Sequence, residues 1–226
     1  MHILRLSLLC GALLVGASIA VCAQTVTEEN GNIIFSNADG IRKPLTGSGH
    51  DSAPALSPDG KFVVFVRDTP DKIVATGSGD VAATELWIIG SDGSKPSILV
   101  RGKESTDPKQ VIGGIAGAQF SPDGHRVYFV SAAWATSGAI HVLELASRKE
   151  HFFTDGSGLE FVSSGDYKGC LLIQKHKYFI GGGAYDWFWL IKPDGKEVGP
   201  VGEDTENFHS SYENTVTPVP GRNPKP

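Results

Sequence analysis

Pro54-Ala55-Leu56-Ser57-Pro58-Asp59-Gly60-Lys61-Phe62-Val63-Val64-Phe65-Val66 is the stretch that decides the fold. Its Ser-Pro-Asp-Gly tetrapeptide returns as Ser121-Pro122-Asp123-Gly124, and an apolar run again follows, Val127-Tyr128-Phe129-Val130. Proline presets φ for the second turn position and glycine accepts a positive φ, so each copy reads as a tight turn leading into a strand. Such a repeat means that one small β unit is stacked several times.

Residues 63–66, 86–89, 127–130 and 188–191 are each apolar at four successive positions. A strand with one wet face alternates; four apolar residues in a row need cover on both faces. No amphipathic helix is legible beyond residue 23, so neighbouring sheets must supply that cover, as propeller blades do. A β-sandwich, the competing fold, should show polar alternation on its outer faces. The units lay out as strands near 54–56, 62–66, 86–89 and 97–100, then 117–120, 127–130, 140–145 and 150–154. A diverged third unit follows at 159–162, 170–179, 186–191 and 197–201. Ahead of them, residues 32–36 and 42–46 around Asp39-Gly40 read as the third and fourth strands of a half unit. The expected architecture is all-β: a partial or small propeller of four-stranded antiparallel blades, about three full blades plus a half, over residues 24–202.

Pro54 to Gly60, the apolar strand after it, and Leu86-Trp87-Ile88-Ile89 with Asp92-Gly93 behind it together resemble the TolB family of exported bacterial β-propeller repeats. The resemblance covers about residues 32–202 and implies a fold more than a function. Similar propellers precede the hydrolase domain of prolyl-oligopeptidase-like enzymes, but no Gly-x-Ser-x-Gly nucleophile elbow occurs in this sequence. The separate α/β domain that TolB proteins carry before the propeller has no counterpart, so the resemblance does not extend to the Tol-system protein itself.

Residues 1–23 read as an export signal: His2 and Arg5, an apolar stretch over 6–21, and a small-residue cleavage site at Val21-Cys22-Ala23. That stretch is short for a bilayer span, and no second one of about 18 residues exists. The expected location is periplasmic or secreted, with no stable membrane span. Loss of the signal leaves Cys170 as the only cysteine, so no intrachain disulfide is expected and the thiol reads as a buried apolar group. The net charge of −5 and the absence of long basic runs argue against nucleic acid as a partner. Residues 203–226 read as a polar, proline-rich C-terminal tail. Three and a half blades leave open edges, which tend to recruit a protein partner or a second copy.

No motif carries chemistry. Aspartates in tight turns bond their own backbone. His141 and Glu144, three apart on a strand, point to opposite faces. No cofactor and no metal are expected. What the topology does supply is a rim. The long segments 67–84, 131–138 and 180–185, and the link 104–114, fall on one end of the array, and loops grouped on a rigid scaffold are where binding concentrates. Arg67, Asp68, Asp71, Trp134, Tyr185, Asp186 and Trp187 are the candidate binding residues there. The expected function is an exported, non-catalytic binding module that recognises an envelope protein or a small ligand. The alternative is a propeller-type hydrolase or lyase using Asp68, Asp71 and Asp186.

Overall fold

A computed structural model describes residues 23–213; the expected export signal lies almost wholly outside the described residues. Among the described residues, fifteen strands form four antiparallel sheets, each an up-and-down run of consecutive strands. The first sheet holds β1 (Thr25–Glu29), β2 (Asn32–Ser36) and β3 (Arg42–Pro44). The second holds β4 (Asp51–Leu56), β5 (Phe62–Thr76), β6 (Gly79–Gly90) and β7 (Ser97–Arg101). The third holds β8 (Ala116–Phe120), β9 (Arg126–Ala132), β10 (Gly138–Glu144) and β11 (Lys149–Asp155). The fourth holds β12 (Gly158–Phe161), β13 (Leu171–Tyr178), β14 (Ala184–Ile191) and β15 (Glu197–Gly202). The array is an all-β partial propeller.

The two Ser-Pro-Asp-Gly turns are built alike. Ser57 Oγ donates to Asp59 Oδ1 at 2.7 Å, and Ser121 Oγ donates to Asp123 Oδ1 at 2.5 Å. Each serine oxygen then accepts the N–H of the residue that opens the next strand, Phe62 at 2.9 Å and Arg126 at 3.0 Å. Gly60 and Gly124 both sit at φ +72°, where a side chain is strained.

The apolar runs explain the stacking. On β5, Val64 and Val66 face the third sheet and join Val127, Phe129 and Leu143 in one core. Val63 and Phe65 face the other way, onto Ile33 of the first sheet. On β9 the same alternation sends Val127 and Phe129 back to the second sheet and Tyr128 onward to Leu171, Ile173 and Ile191 of the fourth. Each fully buried side chain of this kind contributes about 1.5–3 kcal/mol. Lys175 on β13, only 1% exposed, ties the last two sheets together. Its ammonium reaches Thr154 and Asp155 of β11, at 2.9 and 3.1 Å, and Glu197 of β15 at 2.5 Å.

The first sheet departs from the expected half unit. Its Asp39-Gly40 turn corresponds to Asp92-Gly93, so β2 and β3 match the third and fourth strands of a blade, as expected. But β1 adds a second-position strand that pairs along its whole length with β2, Thr25 opposite Ser36 through Glu29 opposite Asn32. Among the described residues, the first sheet lacks only an innermost strand. The turn that makes this possible is Asn30-Gly31, with φ of +51° and +70°. Asn-Gly is the preferred two-residue hairpin turn, a signal present in the sequence.

At the other end, the outer face of the fourth sheet is covered by its own chain. A helical turn, Glu206–Phe208, continues into a wider turn, His209–Glu213. Phe208 packs on Val162, Cys170, Leu172 and Leu190. Burial in that apolar patch pushes the Cys170 thiol up, as expected of an inert sulfur. Glu213 fastens the turn: one carboxylate oxygen accepts the Ser163 N–H at 2.5 Å and the other meets His209 Nδ1 at 2.5 Å.

Candidate functional site

The rim formed by the second turn of each sheet is more structured than the sequence suggests. Residues 68–84 are not a loop. β5 and β6 continue past the four-stranded body as a two-stranded arm, paired from Asp68–Thr84 out to Thr76–Gly79. The inner strand stops pairing at Asp51–Arg67 and the outer at Arg101–Glu85, so the arm stands clear of both. β13 and β14 do the same: pairing to the flanking strands ends at Gln174 and Phe188, while the two go on to Tyr178–Ala184.

The first arm is folded down. Val74 and Ala83 are buried against Val111, Ala133 and Ala139, with Trp134 and Phe152 packed around them. Gly77 donates its N–H to the Ala133 carbonyl at 2.7 Å. A Cβ on Gly77 would sit 2.5 Å from that carbonyl oxygen, so glycine is what lets the tip approach. Trp134 is therefore half-buried, edge-on to Phe152 with ring centres 6.2 Å apart.

The second arm is bare at its tip. Phe179, Tyr185 and Trp187 form a ladder with ring centres 4.6 and 4.8 Å apart. Tyr178 is 69% exposed, Phe179 is 51% exposed and Ile180 is fully exposed. Behind them, Gly182 and Gly183 take φ of +95° and +85° and make the turn. On the opposite face His176 Nδ1 lies 2.8 Å from Asp186 Oδ1, with Tyr178 edge-on to the imidazole at 4.9 Å.

The seven candidate residues thus divide. Tyr185, Asp186 and Trp187 share the second arm, and Trp134 helps seat the first. Asp68 and Asp71 stand exposed on the first arm. Arg67 is a fixed structural group: Nε and Nη2 donate to the two oxygens of buried Asp51 at 2.5 and 2.9 Å. Its guanidinium lies over the Trp87 ring at 4.4 Å. Burial pushes the Asp51 carboxyl up, but hydrogen bonds from Arg67, Thr46 and Ser48 outweigh it and hold the group below the usual carboxylate range. Sequence reasoning missed Tyr178, Phe179 and Ile180. The available signal was three bulky residues set directly before Gly181-Gly182-Gly183. Among the described residues no cluster of three or more His, Cys, Asp or Glu side chains is arranged to hold a metal ion.

This geometry matches known folds. Dipeptidyl peptidase 4 from Porphyromonas gingivalis superimposes with a TM-score of 0.56 and 9% identity, over 80% of this chain and 31% of its own. The β-propeller domain of the Trilobed protease from Pyrococcus furiosus, which has an open velcro topology, matches with a TM-score of 0.51 and 13% identity, over 77% of this chain and 49% of its own. An oligogalacturonate lyase solved with manganese gives 0.51 and 14%, over 77% and 43%. The sheets are propeller blades. In sequence, the chain is 28% identical over 124 residues, 50% of its length, to a probable dipeptidyl-peptidase 5 from Aspergillus niger. The match spans 16% of that peptidase, and the chain spans less than half of each of these three structures. No protein-family model matches. The propeller reading of the repeat stands on these likenesses at the level of fold.

Proposed function

We propose that this chain is an exported, non-catalytic binding module of TolB-type repeats that grips an envelope protein through the rim carrying the two arms. One observation carries the reading. The two arms are built alike, yet the first buries its apolar side against Val111 and Ala133, while the second leaves Phe179 and Ile180 uncovered at its tip, Phe179 continuing the ladder of Tyr185 and Trp187, with Tyr178 exposed on the other face. Contiguous exposed aromatic surface on a rigid hairpin is characteristic of interaction sites. The twin substitution Phe179→Ser and Ile180→Ser should abolish capture of a partner from envelope extract while leaving the melting temperature unchanged. Lys61→Ala, exposed on the opposite rim, should leave capture intact. Capture that is insensitive to the twin substitution removes this reading.

The peptidase likenesses favour a second reading, in which the propeller serves a hydrolase. The carboxylates available to it on this chain are Asp68, Asp71 and Asp186, of which Asp186 is engaged by His176. Turnover of a peptide, ester or glycoside panel by the purified chain, lost on Asp186→Asn, would establish it in place of the binding role.

A further inference from the structure

The opposite rim, where the Ser-Pro-Asp-Gly turns lie, holds a cavity of about 550 Å³ between the second and third sheets. Its floor is apolar. Ile88, Leu99 and Leu145 are half-buried against the core shared by these sheets, Phe120 is buried, and Phe62 closes one side with its ring half exposed. The core shared by these two sheets opens to solvent here, between the two Ser-Pro-Asp-Gly turns.

Two carboxylates, Asp59 and Asp123, and two fixed cations, Lys95 and Arg148, line the mouth together with His125. Both carboxylates are ionised and engaged in their own turns, Asp59 also with Lys61 at 3.2 Å. Hydrogen bonds from Ser57 and the Lys61 N–H hold the Asp59 carboxyl below its usual range, and Ser121 and the His125 N–H do the same for Asp123. The cations have no such partner. Lys95, His125 and Arg148 are exposed at the mouth, and among the described residues none of the three is within salt-bridge distance of a carboxylate. Arg148 is held in place across the opening. From the β10–β11 turn, at φ +54°, it reaches the previous sheet, where Nη1 donates to the Ile98 carbonyl at 3.4 Å and Nη2 to Ser97 Oγ at 3.2 Å. A guanidinium carries five N–H donors, so donors remain for an anion.

We propose that this cavity binds a small amphipathic carboxylate, its apolar chain on Leu99, Phe120 and Leu145 and its head at Arg148 and Lys95. The volume lies within the usual range for a ligand pocket, roughly 300–1,000 Å³. A peptide fits the chemistry less well than an acyl chain. The two hydroxyls on the wall, Ser57 and Ser97, already serve Asp59 and Arg148, which leaves a peptide backbone few partners. A buried, unpaired amide is costly, whereas an acyl chain asks only for apolar contact.

Calorimetric titration of the purified chain tests this, with decanoate below its micelle-forming concentration, decanol and acetate as probes. Decanoate should bind at one site, decanol at least about tenfold more weakly, and acetate not measurably. Arg148→Met should lower decanoate affinity toward that of decanol while decanol is unaffected. Leu145→Asp should abolish both. Lys95→Met, at an exposed position, gives a second lowering of decanoate affinity should Arg148→Met fold poorly. The proposal is overturned by no decanoate binding, by equal affinity for acid and alcohol, by decanoate affinity that neither cation substitution lowers, or by a short Leu-Leu carboxylate peptide that binds as tightly as decanoate.

Discussion

Asp51 shows how one residue fixes the geometry of a blade. It opens β4, is 1% exposed, and holds Arg67 at the point where the four-stranded body gives way to the first arm. Arg67 in turn lies on Trp87 of β6, so three strands meet at one ion pair. Removing one partner of a buried pair costs more than the pair contributes, because the other charge is left without compensation. Asp51→Ala should therefore destabilise the chain by about 2–3 kcal/mol in urea unfolding, below the 3–5 kcal/mol of a fully buried pair because Arg67 keeps a quarter of its side chain in water. An unchanged midpoint would show that Asp51 is not what anchors Arg67. A second residue-scale expectation concerns Phe129, fully buried between the second and third sheets and stacked on His141 at 5.3 Å. Phe129→Ala should cost about 3–5 kcal/mol, enough to remove most of the stability of a typical domain.

At the scale of elements, the first hairpin depends on Gly31. A Cβ there would meet the Gly49 carbonyl oxygen at 2.2 Å, and its φ of +70° is itself unfavourable for a side chain. Gly31→Ala should destabilise β1 and β2 by roughly 1–3 kcal/mol, read as faster amide exchange at Ile33 and Phe35. Exchange confined to the wild-type rate would mean that the backbone there yields more easily than the close approach suggests. Gly77 governs the first arm in the same manner. Gly77→Val should lift the tip off Ala133 and admit protease cleavage near Thr76–Gly79, without loss of the blades behind it, because the arm has few contacts other than those around Val74.

At the scale of the molecule, stability should fall in acid. Asp51, Asp123, Asp155 and Glu213 all have carboxyls held below their ordinary range in the folded chain. For each, burial competes but the donors win: Arg67 for Asp51, Ser121 for Asp123, Lys175 for Asp155, and His209 with Ser163 for Glu213. A depressed folded pKa contributes stability that is fully present above the unfolded value, near 4, and is lost as pH falls through the folded value. The denaturant midpoint should be flat from about pH 7 to 5 and drop below about pH 4. A midpoint that rises on acidification would contradict the sign. Glu213 makes the cap over the fourth sheet part of this response. Truncation after Glu203 removes Phe208 from Val162, Leu172 and Leu190, so the shortened chain should bind more of a hydrophobic dye, and self-associate more in light scattering, than the full chain.

The sequence by itself determined the blades. Four successive apolar residues, divided between two neighbouring sheets by the period of two along a strand, left stacked sheets as the arrangement that covers both faces. The Ser-Pro-Asp-Gly turns were equally legible, because their geometry is set within five residues by proline, glycine and a serine–aspartate bond. β1 was missed although Asn30-Gly31 announced its turn, since Thr25-Val26-Thr27-Glu28-Glu29 carries almost no apolar pattern of its own. Only the tertiary structure decided the sites. Tyr185, Asp186 and Trp187 are close in sequence and share one hairpin, whereas Arg67 is tied to Asp51, which lies sixteen positions away on another strand. That one arm is folded down and the other bare depends on whether Ala133 and Val111 lie within reach of its tip. The cavity at the opposite rim depends on which side chains two neighbouring sheets bring together, and on Arg148 reaching the strand of a preceding blade. Those are distances between residues some fifty positions apart, set by the packing of whole sheets, and no local run of sequence encodes them.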